Sequence, residues 1–314
     1  MQHFQSVKDA NPISDLVQKA LFFKSNPFHK SIGENKTLGL IFLNPSLRTR
    51  LSTQIAAQNL GMNVIVMNID KEGWSLETRE GAIMNGTSVE HIKDAAAVMG
   101  SYCHIIGIRS FALLKNKEED YAESIFEQFK QYAQVPILSL ESATLHPLQS
   151  LADLVTIHEN LPHKRTPKIV LTWAPHIKPI PQAVANSFAE WILAAGFPLT
   201  IAHPEGYELS EQFVKGATIT HQQNEAFEDA DFIYVKNWSS YSDYGKVLTN
   251  AEDWMPQEVK LQNNPKARIM HCLPVRRNVE LADDLLDSAR SLVIQQATNR
   301  IWAAQAVLAE LLKN

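Results

Sequence analysis

Short apolar runs of strand length alternate with longer stretches of helical spacing along the whole chain. In the first half the runs fall at 37–42, 63–68, 104–109 and 135–140, too uniformly apolar to leave one face wet. Helical patterns follow them. One opens within 44–50 and stops at Gly61, one spans 89–99 and is closed by Gly100, and others span 121–133 and 148–161. The second half repeats the scheme, with strands predicted at 168–174, 199–203, 218–221, 232–236 and 267–273 and helices near 183–195 and 209–215. A last strand is predicted at 291–295, before an amphipathic terminal helix at 299–312. Such alternation predicts an α/β fold of parallel sheets covered by helices on both sides. The basic, proline-containing stretch 162–167 marks the expected domain boundary.

Length agrees with two domains, because 314 residues exceed the usual size of a single core. Charged residues make up 20% and the formal net charge is -5, so there is no cationic surplus for nucleic acid or an anionic membrane. Any basic cluster is therefore local and suited to a small anion. The opening MQHFQSVKDANPISD lacks a positively charged lead into an apolar core, and no apolar run approaches a membrane span. A reducing, cytoplasmic setting is expected, with Cys103 and Cys272 unpaired. Neither GxGxxG nor GxxxxGK[ST] occurs, which removes support for dinucleotide and P-loop sites.

Polar residues collect where a parallel sheet places its ligands, just after the strands. The stretch Asn44-Pro45-Ser46-Leu47-Arg48-Thr49-Arg50 joins hydroxyls, a helix start and forked guanidinium donors, a combination that suits phosphate. Its alternative is an ordinary capped helix with solvated arginines. Arg109, Glu141 with His146, Lys236 and the run 271–278 also follow predicted strands, and together they predict a cleft between the domains. His271-Cys272 invites a zinc reading, but two cysteines without paired ligand spacing argue against a metal. His158, His163 and His221 form no constellation and are expected at the surface.

Ser46-Leu47-Arg48-Thr49-Arg50, His146-Pro147-Leu148-Gln149 and His271-Cys272-Leu273-Pro274 stand in the order SxRTR, HPxQ, HCLP. In these motifs the chain resembles the aspartate/ornithine carbamoyltransferase superfamily over essentially its whole length. The resemblance implies two doubly wound domains, a carbamoyl-phosphate-binding one at 1–150 and an acylornithine-binding one at 151–298, with the terminal helix 299–314 packing back on the first. It also implies a homotrimer and no cofactor. Ser46, Leu47, Arg48, Thr49 and Arg50 would hold the phosphate, with Trp74 reaching a neighbouring subunit's site unless it is merely buried in the interface. Arg109, His146 and Thr49 would polarise the carbonyl oxygen. Gln149 and the carbonyls around Cys272 and Leu273 would accept from the carbamoyl NH2, and Arg300 would contact the donor again. Arg109, His146, Gln149 and Cys272 are the implied catalytic group, although Cys272 can equally be a small packed residue whose backbone matters.

The SMG loop of ordinary ornithine carbamoyltransferases is missing, and Phe232 to Tyr244 reads FIYVKNWSSYSDY. This segment, Thr172 to His176 and Arg276-Arg277-Asn278 resemble instead the N-acylornithine carbamoyltransferases, whose proline-rich loop, matched by Pro175 to Pro181, implies a knotted second domain. Glu141, His176, Lys236 and Arg276 then match acceptor contacts. His176 as a satisfied loop histidine and Arg276 paired to a surface acid are the alternatives. Within this group, acetyl-type enzymes carry a glutamate aligned with Val89, or with Glu90 if the alignment slips by one, and a lysine near Glu280. Val89 leaves room and neutrality for an extra carboxylate, so the expected acceptor is N2-succinyl-L-ornithine, with N2-acetyl-L-ornithine as the alternative. A more distant alternative is a non-catalytic sensor of carbamoyl phosphate or phosphate.

Overall fold

The computed structural model describes residues 1–162, 165–249 and 251–313. His163 and the centre of the expected boundary at 162–167 lie outside the described residues. The chain divides into two compact units. The first comprises Met1–Leu113, Lys117–Leu148 and Arg300–Asn314, and the second Leu114–Asn116 and Gln149–Asn299.

The first unit holds β1 (Thr37–Phe42), β2 (Asn63–Asn68), the two-residue strands β3 (Leu76–Glu77) and β4 (Glu90–His91), β5 (Ile105–Arg109) and β6 (Ile137–Glu141). Its main sheet has the order β2-β1-β5-β6, all parallel. The chain leaves β1 toward β2 on one side and returns to β5 on the other, so a switch point opens between the carboxyl ends of β1 and β5. Below it lies a core in which Ile41, Ile106, Ile108 and Ile137 pack with Phe126 and Phe129.

The second unit holds β7 (Ile169–Trp173), β8 (Leu199–Ala202), β9 (Thr218–Thr220), β10 (Phe232–Lys236) and β11 (Arg268–Met270). Their order is β11-β10-β7-β8-β9, again all parallel, with the switch point between β7 and β10. β7 and β10 are buried at every position, as a sheet covered on both faces requires.

Three predicted elements differ from the structure. Residues 291–295 form no strand; only an isolated bridge joins Ser291 to Ile269, and one helix runs from Val293 to Leu311. Leu292, Val293 and Gln296 are buried while Ile294 is exposed, which is helical spacing hidden in a short apolar run. Gly100 does not close its helix, which continues to Tyr102. A Cβ on Gly100 would stand 1.9 Å from the Ala133 carbonyl oxygen, so this glycine permits a close approach. The helix predicted at 121–133 is broken into Lys117–Tyr121 and Ser124–Tyr132 by Glu123, at φ 51°. Gly61, by contrast, does end its helix region, at φ 87° with a Cβ position 2.0 Å from the Lys30 carbonyl oxygen.

Among the described residues no helix is long and apolar enough to cross a membrane. Neither cysteine is in a disulfide.

Candidate active site

In the first unit the switch point brings together residues from four separate parts of the chain. The helix Arg48–Asn59 starts beyond β1, and its N-cap residue, Leu47, supplies no side-chain cap. Its first turn keeps the positive end of the helix dipole, the arrangement that favours an anion. Arg109, the last residue of β5, donates from Nη1 to Ser46 Oγ and to Thr49 Oγ1, each at 3.0 Å. Arg300 donates from Nη2 to the same Thr49 hydroxyl at 2.5 Å.

Thr49 is thus held between two guanidinium groups. Two N–H donors use both lone pairs of its hydroxyl oxygen, so its remaining capacity is one O–H donor. Buried and oriented in this way, the hydroxyl is tuned to meet an acceptor.

Arg109 Nη1 also lies 3.2 Å from Glu141 Oε2, and that carboxylate stands 3.5 Å from His146 Nε2. Glu141, assigned to the acceptor from sequence, therefore contacts two residues assigned to the donor. Burial holds the His146 pKa well below its ordinary value, helped by the charges of Arg300, Arg109 and Arg48. The ring is therefore neutral, and its Nδ1 is buried with no hydrogen-bond partner among the described residues. Ring-nitrogen NMR is expected to show neutral His146 throughout pH 6–8, and an imidazolium signal at pH 7 would contradict this picture. Three arginines against one carboxylate leave the cluster cationic. Leu47 is exposed and Arg50 half-buried.

The turn that presents His146 is built by a residue the sequence did not single out. Glu123 accepts from Ser142 Oγ at 2.6 Å, from Thr144 N at 2.8 Å and from Thr144 Oγ1 at 2.5 Å. Its left-handed backbone is strained for a residue with a Cβ, and these bonds hold it there.

In the second unit Lys236 is the last residue of β10 and is buried. His176 follows β7, across the switch point. Arg276 Nε donates to His176 Nε2 at 3.1 Å, and His176 Nδ1 is 2.8 Å from the Lys178 carbonyl oxygen, which fits the Nδ1–H tautomer. Burial lowers the His176 pKa, which suits a ring that accepts from Arg276 and so serves to aim it. Glu280 accepts from the Arg276 backbone N–H at 2.8 Å. Its carboxyl is pushed up by burial, yet the His271 ring, the Lys236 charge and the Arg276 N–H hold it at about 2.

Cys272 is buried, and Leu273 after it has φ 56°. That left-handed turn is stabilised by the Leu273 N–H, which donates to His271 Nδ1 at 2.9 Å. Gln149 donates from Nε2 to the buried Asp153 Oδ1 at 2.7 Å. Asp153 was also missed; an acid four residues after Gln149 within an apolar helical run was its only signal.

Trp74 and Val89 lie on the segment carrying β3 and β4. Trp74 is 54% exposed and donates from Nε1 to Glu90 Oε2 at 2.8 Å, while Val89 is 66% exposed. The Val89 N–H donates to the Ser75 carbonyl oxygen at 3.1 Å, tying the two parts of this segment.

Comparison with known proteins agrees with these two constellations. Residues 2–159 match the carbamoyl-P binding domain of aspartate/ornithine carbamoyltransferase, and residues 181–311 match its Asp/Orn binding domain. The chain is 49% identical to N-succinylornithine carbamoyltransferase of Bacteroides fragilis (strain 638R), covering 100% of this chain and 99% of that protein. It is 31% identical to N-acetylornithine carbamoyltransferase of Xanthomonas campestris pv. campestris, over 99% of this chain and 98% of that one. A crystal structure of N-acetyl-L-ornithine transcarbamylase with one glutamate replaced by valine, complexed with carbamyl phosphate and N-succinyl-L-norvaline, superposes with a TM-score of 0.93 at 31% identity, covering 99% of this chain and 100% of that one. The arginine-held threonine, the neutral buried histidine and these matches along both units lead to one conclusion: the chain belongs to the aspartate/ornithine carbamoyltransferase family.

Proposed function

We propose that the protein transfers the carbamoyl group of carbamoyl phosphate to the δ-amine of N2-succinyl-L-ornithine, giving N2-succinyl-L-citrulline and phosphate, as a cytoplasmic step of arginine biosynthesis. The observation that carries the donor half is Thr49, whose two arginine partners leave its hydroxyl a single O–H to donate. Ser46, Leu47, Arg48, Arg50 and Arg300 take the phosphate end, to which Thr49 gives its first-turn backbone N–H. Arg109 and Thr49 donate to the carbonyl oxygen, and the neutral His146 ring adds an N–H without adding charge. Gln149 and the Cys272 and Leu273 carbonyls receive the carbamoyl NH2.

The amine nitrogen forms a bond to the carbonyl carbon, and the bond from that carbon to the bridging phosphate oxygen breaks. Phosphate leaves with the electron pair and takes up the proton that the amine gives up. An alkyl amine with a pKa near 10.4 costs about 4–5 kcal/mol to present unprotonated at pH 7, a cost that desolvation reduces. Electrostatic stabilisation of the carbonyl oxygen supplies most of the remaining catalysis, with no metal or organic cofactor required.

For the acceptor, Lys236 and Arg276 face the carboxylates of an acylated amino acid, with His176 fixing Arg276. The succinyl choice is supported by the 49% identity to an N-succinylornithine enzyme against 31% to an N-acetylornithine one. Val89 supports it independently. Our reading matches it to the glutamate whose replacement by valine accompanies bound N-succinyl-L-norvaline in the solved relative. By the same resemblance the enzyme works as a trimer in which Trp74 completes a neighbour's donor site, and its second domain is knotted.

A citrulline-forming assay with carbamoyl phosphate and ornithine, N2-acetylornithine or N2-succinylornithine tests the whole reading. Turnover of the succinyl compound at least tenfold above the others is expected, and turnover of free ornithine alone would reject it. Val89→Glu is expected to shift the succinyl-to-acetyl preference by about tenfold or more, since carboxylates about 4 Å apart repel by roughly 1–4 kcal/mol at effective dielectric constants between 20 and 80.

A further inference from the structure

We infer that Asp153 is a positioning residue for the carbamoyl end of the donor, acting through Gln149 and through the turn at His271–Leu273. Asp153 is fully buried on the helix Pro147–Glu159, one turn after Gln149. Its Oδ1 accepts two amide donors, Gln149 Nε2 and Gln296 Nε2, both at 2.7 Å. Gln296 in turn accepts the His271 backbone N–H on Oε1 at 3.0 Å.

A carboxylate accepts and cannot donate, so it sets the orientation of both amides. Gln149 must give its NH2 to Asp153, which turns its carbonyl oxygen away as the acceptor end. Carbamoyl NH2 is a donor-only group, and an oxygen is what it needs. A flipped amide would present N–H to N–H. Gln296 is fixed in the same sense: with its NH2 on Asp153, its carbonyl oxygen anchors His271, whose ring holds the Leu273 turn. One buried carboxylate thereby orients both of the acceptors proposed for the carbamoyl nitrogen. Tyr234, pushed well above its ordinary range by burial and by Asp153, stays protonated beside this acid.

This inference rests on the carbamoyl phosphate reading above but not on the identity of the acceptor. Calorimetry of the full-length protein with carbamoyl phosphate and, separately, inorganic phosphate distinguishes the two. Asp153→Leu and Asp153→Asn are to be compared with wild type and with Gln149→Ala. Loss of Asp153 is expected to weaken carbamoyl phosphate binding roughly 10- to 100-fold, the range for a hydrogen bond to a charged group, while phosphate binding changes less than threefold. Asp153→Asn, which keeps one acceptor oxygen, is expected to fall between, and it carries the test if the leucine variant does not fold. In a Gln149→Ala background the Asp153→Asn effect on carbamoyl phosphate should shrink but persist, because the route through Gln296 to the His271–Leu273 turn is still in place. Equal weakening of both ligands, or additive effects of the two substitutions, would reduce Asp153 to a structural role and overturn the inference. Wild-type protein that binds carbamoyl phosphate no more tightly than phosphate would overturn the reading beneath it.

Discussion

Replacing Arg109 with methionine is expected to lower kcat/KM for carbamoyl phosphate by about 10^3-fold or more and to destabilise the fold by about 3–5 kcal/mol. The first effect follows from position: Arg109 donates to Ser46 and Thr49 and is the cation proposed to face the carbonyl oxygen. Losing one preorganised donor to a developing oxyanion typically costs about 10²–10³-fold, and here the orientation of Thr49 is lost with it. The second effect follows from Glu141, whose carboxylate loses its 3.2 Å partner in a mostly buried site. Without Arg109 that carboxylate also favours a proton on His146, 3.5 Å away, and removes one of the charges that hold the ring neutral. Arg109→Lys keeps the charge but not the fork, and is expected to recover stability more than rate. Steady-state kinetics and urea unfolding read the two effects separately. A loss below tenfold for the methionine variant would reject the proposed role.

Glu280→Gln is expected to remove about 3 kcal/mol of stability at pH 7. The folded carboxyl titrates at about 2 rather than 4.5, and each unit is worth about 1.36 kcal/mol. Because the folded pKa is depressed, the contribution is complete above about pH 4.5 and vanishes as pH falls through about 2. The wild type and the variant should therefore differ in denaturant midpoint at pH 7 and converge near pH 2. The His271 ring, with Nε2 3.9 Å from the carboxylate, the Lys236 charge and the Arg276 N–H all favour the ionised carboxyl, which an amide at this position cannot replace. In thermal unfolding the variant should lose roughly 6–12 °C, at about 2–4 °C per kcal/mol for a unit of this size. A difference that is the same at pH 7 and pH 3 would show that charge is not its origin.

Much of the fold was legible because strands buried on both faces leave an unmistakable signal. β1 and β10, buried along almost their whole length, have their predicted bounds, as does the more open edge strand β2, whose apolar run is bounded by Asn63 and Asn68, and the α/β class with parallel sheets is what the structure shows. The errors have local causes. At 291–295 an apolar run too short to show its period reads as strand by composition. At Gly100 a residue that commonly ends helices is present for close packing. The break at Glu123 depends on bonds to Ser142 and Thr144, about twenty positions away, which no local pattern can contain. The same limit applies to the candidate site. Ser46, Thr49, Arg109 and His146 could be picked out because loops after parallel strands collect ligands. Asp153 and Gln296 could not, since their significance lies in whom they touch. Glu141 was assigned by resemblance, whereas its contacts put it beside Arg109 and His146.

The unequal burial of the tryptophans gives the molecule a built-in optical label. Trp173, Trp191 and Trp238 are fully buried, and Trp254 and Trp302 are partly covered, whereas Trp74 is largely open to water. Red-shifted emission and collisional quenching by acrylamide should therefore come mainly from the β3–β4 segment. A blue shift on raising protein concentration, absent in Trp74→Phe, would time the covering of that segment without any added dye.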